Sequence, residues 1–231
     1  MRIGILQTGQ APDDLKRDLG DYPDLFRKLL SGHGFSFQTW HVENGAFPAT
    51  VQDADGWLIT GSKHGVYEEH AFIAPLEDFV RRAYAAKVPM VGICFGHQII
   101  AQALGGKVEK FHGGWAVGPQ DYDFDGERLT LQAWHQDQVT MIPAGAKVLA
   151  GNDFCENAAL VYDDRALTVQ AHPEYDDGFV DGLIKTRGRG KVPDPVLAAA
   201  SARMGGPLHN ARIADRIAAF FKRPRQQPAR G

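Results

Sequence analysis

Apolar positions along the first hundred residues alternate between short continuous runs and stripes of helical period. Residues 2–8, Arg-Ile-Gly-Ile-Leu-Gln-Thr, read as a brief buried strand ended by Gly9 and Pro12. Tyr22, Leu25, Phe26, Leu29 and Leu30 then recur at helical spacing, and Gly32 and Gly34 stop that helix. Phe35 to Val42 alternates like a strand, Trp57-Leu58-Ile59 is a further apolar run broken by Gly61, and Leu76, Phe79, Val80 and Ala83 mark one face of a helix. Val88 to Ile93 reads as a strand, followed by a helix through Ile99 to Leu104. Strands alternating with helices predict an α/β architecture with a mostly parallel central sheet flanked by helices.

The rhythm changes after residue 125. Leu129 to Trp134, Lys147 to Leu149, Ala159 to Tyr162 and Leu167 to Ala171 are strand candidates with few residues between them, which predicts antiparallel strands added to the α/β core. Phe179 to Ile184, Val196 to Ala202 and Ile213 to Phe221 read as later helices. The sequence has no internal repeat and no long linker, so residues 1–222 are expected to form a single domain. The basic, Pro/Gln-rich residues 223–231 are expected to form a flexible tail.

Composition narrows the function classes. A chain of 231 residues buries about 70% of its extended surface and needs no disulfide staples. With 44% apolar and 23% charged residues it is an ordinary globular sequence, not a disordered or collagen-like one. A net charge of -3 argues against a nucleic-acid binder that neutralises phosphates over its whole surface. No apolar run approaches the ~20 residues of a membrane span, and the first residues lack a signal-peptide layout. Two cysteines, Cys94 and Cys155, make no disulfide framework. The expectation is a soluble, cytoplasmic protein of a reducing compartment.

The most informative segment is Val91-Gly92-Ile93-Cys94-Phe95-Gly96-His97-Gln98. An apolar strand runs directly into a helix, with a nucleophilic residue between glycines, as in a sharp nucleophile elbow that carries Cys in place of Ser. Small neighbours give the turn room, and the positive end of the new helix suits an anionic nucleophile. The amide of Phe95 is placed to meet an oxyanion. The competing reading is a buried structural cysteine at a strand end; the glycines and the strand–helix context favour the elbow. Cys155, after Asn152-Asp153-Phe154 in a loop, has no such setting and reads as structural.

A cysteine nucleophile benefits from a base, and the base from a group that fixes its tautomer. His172 follows the strand Leu167–Ala171 within His172-Pro173-Glu174. Pro173 favours an extended residue before it, and positions i and i+2 of an extended segment share a side. Glu174 is therefore expected to hold one ring nitrogen while the other faces Cys94. A chance His and Glu at a solvated strand end is the alternative.

These segments together resemble the class I glutamine amidotransferases of the triad type. The family's nucleophile pattern, G-x-C-x-G-x-Q, is matched by Gly92, Cys94, Gly96 and Gln98, and its His-Pro-Glu motif by His172, Pro173 and Glu174. Ile59-Thr60-Gly61-Ser62-Lys63 stands where the family has its oxyanion turn, and Trp134-His135-Gln136-Asp137 is similar to its Ser-His-Gly-Asp segment. The resemblance covers most of residues 1–180 and implies a flavodoxin-like sheet. It further implies catalytic Cys94, His172 and Glu174, with an oxyanion hole from the backbone at Phe95, Gly61 and Ser62. Gln98, His135, Gln136 and Asp137 would contact the substrate. The implied reaction is attack on the side-chain amide of glutamine or a γ-glutamyl compound through a thioester, without cofactor or metal. Two positions depart from the pattern. Ser62 and Gln136 each replace a usual Gly, which leaves the reaction class intact and puts plain glutamine in doubt as substrate.

After the triad the chain has no room for a synthetase domain and no Walker-type phosphate loop. A stand-alone hydrolase is the preferred expectation, since Gly92 to Ile100 is especially similar to γ-glutamyl peptidases. The alternatives are a glutaminase component delivering ammonia to a separate synthetase, or a regulatory binding module without turnover. The basic run Lys185-Thr-Arg-Gly-Arg-Gly-Lys191 reads as a solvated loop, with an anionic-substrate or docking patch as the sharper option. His64 and His70 share a loop but show no paired metal-ligand spacing. The four tryptophans are expected in the core or pocket walls, and Gly113-Gly114-Trp115 beside the cleft.

Overall fold

A computed structural model describes residues 1–225. Its elements run β1 (Arg2–Leu6), α1 (Asp13–Leu19), α2 (Tyr22–Leu29), β2 (Ser36–Trp40), β3 (Gly56–Ile59), α3 (Ile73–Ala85), β4 (Met90–Ile93), α4 (Phe95–Ala103), β5 (Lys107–Lys110), β6 (Ala116–Phe124) and β7 (Glu127–His135). They continue with β8 (Asp137–Met141), β9 (Lys147–Gly151), β10 (Ala159–Tyr162), β11 (Ala166–Val169), α5 (Asp177–Leu183), α6 (Asp194–Ala202) and α7 (Asn210–Lys222). A nine-stranded mixed sheet has the order β2-β1-β3-β4-β11-β10-β9-β6-β7. The β2-β1-β3-β4-β11 half is parallel throughout, in the 2-1-3-4-5 order of flavodoxin-like folds. The remaining strands add antiparallel pairings, and β5 and β8 form a separate ribbon.

The inner parallel strands β3, β4 and β11 are buried along their length because helices cover both faces, whereas the edge strand β2 is half-exposed. On one face, Leu76, Phe79 and Val80 of α3 and Ile99 and Ile100 of α4 pack with Trp57, Ile59 and Met90. On the other, Phe26 of α2 and Ile213, Ile217, Phe220 and Phe221 of α7 pack with Ile3, Ile5 and Leu58. Each such large side chain contributes about 1.5–3 kcal/mol relative to exposure. A third cluster joins Leu15 of α1, Phe179, Val180 and Leu183 of α5, and Leu197 of α6 at the carboxyl end of the parallel strands. Two N-terminal signals explain where α2 begins. Asp21 and Asp24 make a reciprocal capping box, and Pro23 sits in the first turn.

The alternating strands and helices lie where the hydrophobic pattern predicts them, and α1, β5, β6 and β8 are additions to that reading. Leu15 is the buried residue of α1 and Leu19 is exposed, so too few apolar positions recur to announce the helix. β6 contains Pro119, which cannot donate to a ladder. It is tolerated because β9 pairs β6 only at Asp123 and Phe124, leaving β7 as the neighbouring strand at Pro119. Of the tail expected at 223–231, residues 226–231 lie outside the described residues; Arg225 donates to the carbonyls of Phe220 and Asp164.

Candidate active site

Cys94 is the single residue between β4 and α4, and its backbone has φ 53 and ψ -103. A positive φ is costly for a residue with a Cβ, on the order of 1–3 kcal/mol, and is held only where the surroundings enforce it. Here the Cys94 amide donates to the Val169 carbonyl of β11 at 2.8 Å, and the Gln98 amide returns to the Cys94 carbonyl at 3.1 Å. A Cβ on Gly92 would run into the backbone of Gly96 and His97, and one on Gly96 into the backbone of Ile59. Both glycines are therefore required for close approach of strand and helix. Phe95 opens α4, whose first amides have no intrahelical acceptor.

His172 lies beyond the carboxyl end of β11, and its amide donates to the Gln132 carbonyl of β7 at 2.8 Å. The tripeptide is not extended through Glu174 as expected. Residues 172–175 turn, with the Tyr175 amide donating to the His172 carbonyl at 3.3 Å and Pro173 inside the turn, where its fixed φ fits. The turn still brings His172 Nδ1 to 2.7 Å from Glu174 Oε1, with both side chains buried. The Tyr175 ring stacks on the imidazole at 4.1 Å and 4°. His172 Nε2 makes no hydrogen bond, and the space above Gly61 is shared by His172 Cε1 and Cys94 Cβ. Burial alone would lower the His172 pKa; the charges of Glu174 and Cys94, with the Glu174 hydrogen bond, outweigh it and raise the pKa above the ordinary value.

The turn after β3 approaches from the third side. The Gly61 carbonyl accepts from the hydroxyls of Thr8 and Thr60, each at 3.0 Å. In a trans peptide the N–H points opposite to the C=O, so this clamp turns the Ser62 amide away from the threonines. Ser62 borders the same cavity as Cys94. Its φ is not positive, so the Cβ that replaces the family's usual Gly carries no backbone strain. At Gly61 the constraint is space, because a Cβ there would meet His172 Cε1 at 3.0 Å.

A cavity of about 250 Å³ opens over Cys94 and His172 and is also bordered by Ser62, Gln98, His135, Gln136 and Asp137. Glu174 lies behind His172, away from it, while the Phe95 ring is turned into the core. Gln98 Nε2 donates to the Asp137 carbonyl and to Gln170 Oε1. His135 Nδ1 is 3.2 Å from the Asp137 carbonyl, so this nitrogen carries the proton. Burial, with the nearby His172, pushes the His135 pKa down to about 3 and keeps its ring neutral. Asp137 accepts from the Tyr67 hydroxyl at 3.0 Å, and burial raises its pKa.

Several wall residues come from segments that sequence reading did not assign. Tyr22, Tyr67, Lys110 and Tyr175 border the cavity, as do Trp134, from the segment matched to the family, and Trp115, which the sequence placed beside the cleft. The basic run also reaches it. A single π-helical turn, Ile184–Gly188, directs Arg187 inward to the Tyr22 hydroxyl and the Gln10 carbonyl, and Arg187 and Lys191 both border the cavity. Lys185, Arg189 and Lys191 of the run are solvent-exposed, as in the solvated-loop reading, while Arg187 is half-buried at the cavity wall.

The family description Glutamine amidotransferase class-I matches residues 27–181. The chain is 33% identical over 186 residues to γ-glutamyl peptidase 4 of Arabidopsis thaliana, covering 73% of this chain and 74% of that protein. It is 32% identical over 166 residues to a glutamine-hydrolyzing GMP synthase subunit from Archaeoglobus fulgidus, covering 67% and 84%. A solved glutamine amidotransferase from Methylobacillus flagellatus superposes with a TM-score of 0.75 at 22% identity, over 95% of this chain and 93% of that one, which shows the shared fold. A cysteine elbow, a buried His–Glu pair and a clamped glycine turn thus meet at the carboxyl ends of parallel strands in a chain that belongs to the class-I glutamine amidotransferase family.

Proposed function

We propose that this chain is a stand-alone, cysteine-dependent hydrolase of the γ-amide bond of glutamine or a γ-glutamyl amide or peptide. The observation that carries the reading is the buried His172, bound to Glu174 through Nδ1 and bordering the same cavity as the strained Cys94. Cys94 Sγ attacks the γ-carbonyl carbon as the thiol proton passes to His172 Nε2. The amides of Phe95 and Ser62 receive the oxyanion. Collapse breaks the C–N bond, His172 protonates the departing amine, and a glutamyl thioester remains on Cys94. Water then gives a proton to His172 and attacks the thioester, releasing the γ-carboxylate and restoring the thiol. Glu174 keeps the imidazole in one tautomer throughout. Gln98, His135, Gln136 and Asp137 grip the amino-acid end, while the Arg187 side of the cavity faces the leaving group.

A second reading, a glutaminase component serving a separate synthetase, is favoured by the similarity to the glutamine-hydrolyzing GMP synthase subunit. Glutamate release from glutamine and a panel of γ-glutamyl amides separates the two, with Cys94→Ala as control. Turnover by the purified chain alone supports the hydrolase, and turnover that requires an added synthetase supports the glutaminase component. Tight ligand binding with no release under either condition leaves a non-catalytic binding module and refutes both.

A further inference from the structure

We propose that His64, Glu68 and His70 form a binding site for a zinc-class divalent cation at the rim of the cavity, with Glu43 positioning His64. Glu68 Oε2 is 2.8 Å from His70 Nε2 and 3.8 Å from His64 Nδ1, and the three donor atoms lie within 4.8 Å of one another. Ligands at about 2.0–2.1 Å from a tetrahedral ion stand roughly 3.3–3.5 Å apart. The existing separations straddle that value, so an ion is accommodated by shifts of about an ångström or less in side chains whose backbone is already folded. Three local hydrogen bonds fix that backbone: the His64 amide to Ser62 Oγ, the Glu68 amide to the Gly65 carbonyl, and the His70 amide to the Glu68 carbonyl. The Phe72 ring supports both imidazoles, at 5.8 and 6.0 Å between centroids.

Glu43 supplies the independent observation. Its Oε1 lies 3.0 Å from His64 Nε2, the nitrogen that faces away from Glu68. A carboxylate there holds the proton on Nε2 and leaves the Nδ1 lone pair directed at Glu68 and His70, as for an outer carboxylate behind a metal-bound histidine. Lys63 Nζ, 3.8 Å from the same Glu43 oxygen, offsets the charge of Glu43 rather than that of Glu68, and Arg187 borders the same pocket while bonding to Tyr22 and Gln10. Two imidazoles and one carboxylate suit zinc and its first-row neighbours and not calcium or magnesium, which select oxygen donors. Three ligands leave a fourth position open. His64 and Glu68 border the cavity over Cys94, while His70 borders the neighbouring pocket with His64 and Glu43, so the ion would stand between the two. The loop joining these ligands starts at Ser62, and a bound ion would tie it down.

The test is titration of the full chain with Zn²⁺ and with Co²⁺, carried out also in Cys94→Ala so that the thiol cannot contribute. One equivalent bound in both proteins, with the visible spectrum of tetrahedral cobalt, is expected. His70→Ala should weaken binding at least tenfold, and Glu43→Gln by about 10–100-fold, each with an unchanged circular-dichroism spectrum. A millimolar excess of Mg²⁺ should not compete. Absence of saturable binding in Cys94→Ala, or binding that survives His70→Ala, overturns the site; binding indifferent to Glu43→Gln removes the positioning role. None of these readouts depends on hydrolase activity.

Discussion

Cys94 and Cys155 are both buried thiols in one core cluster, yet the protein surrounds them in opposite ways. Cys155 sits in a loop whose Asn152 side chain accepts from the amides of Phe154 and Cys155, an ordinary Asx arrangement with φ in the usual region. Burial pushes its pKa up to about 12, which keeps it a neutral thiol. Cys94 is forced to φ 53, stands at the start of a helix and borders one cavity with a histidine that is itself held by a carboxylate. The difference teaches that burial alone silences a cysteine. Reactivity has to be built from a turn that presents the sulfur and from groups that accept its proton.

Substitution breaks that comparison most severely. Cys94→Ala should lower kcat for γ-glutamyl amide hydrolysis by about 10⁴-fold or more, while Cys155→Ala leaves it within about threefold; steady-state glutamate release measures both. Next come the partners. His172→Gln should cost about 10⁴-fold and Glu174→Gln about 10³–10⁴-fold, the second with the fold retained, because the imidazole loses the partner that fixes its tautomer.

Stability sharpens the contrast at the level of the backbone. At most positions Ala is more stable than Gly by about 0.4–1 kcal/mol, because Gly has more unfolded freedom to lose. At residue 94 the order should reverse, with Cys94→Gly more stable than Cys94→Ala by about 1 kcal/mol through relief of the positive φ. At residue 155 the usual order should hold. Urea unfolding of the four variants reads both pairs, and a Cys94→Ala at least as stable as Cys94→Gly would mean the elbow stores no strain.

How far the two cysteines could be told apart from the sequence depends on where the information resides. The elbow was legible because its requirements are local: Gly92 and Gly96 are packed against backbone, and that need is written within five residues. His172 and Glu174 were legible for the same reason, although the turn at Pro173, and not an extended segment, joins them. The walls were not. Tyr22, Tyr175 and Arg187 meet over the cavity only through the fold, and Arg187 turns inward because a π-helical turn follows α5, for which the basic run gives no sign. Nor does an irregular spacing such as His64-x3-Glu68-x-His70 register as a ligand pattern; a loop, not a helix face, brings the three together.

A last set of effects concerns pH. His97 and His135 are neutral in the fold, each with its pKa pushed down to about 3, first by burial and then by a neighbouring histidine. The unfolded chain binds protons at these positions from about pH 6.5 downward, so stability is full above that pH and is lost as pH falls towards 3. His172 has the opposite sign. Its raised pKa contributes stability that is complete below about pH 6.5 and is lost as pH rises through the elevated folded value. Thermal midpoints should therefore form a plateau with two falling limbs. His97→Gln should flatten the acid limb and His172→Gln the alkaline one; an unaltered acid limb in His97→Gln would contradict its neutral burial.

Covalent labelling tests the central claim most directly. An electrophilic γ-glutamyl analogue, followed by intact mass and peptide mapping, should add one increment to the wild-type chain, at Cys94 alone. It should add none to Cys94→Ala, and the rate should fall steeply in His172→Gln. Modification of Cys155 at an equal rate, or labelling of Cys94 that is indifferent to His172, would contradict the account.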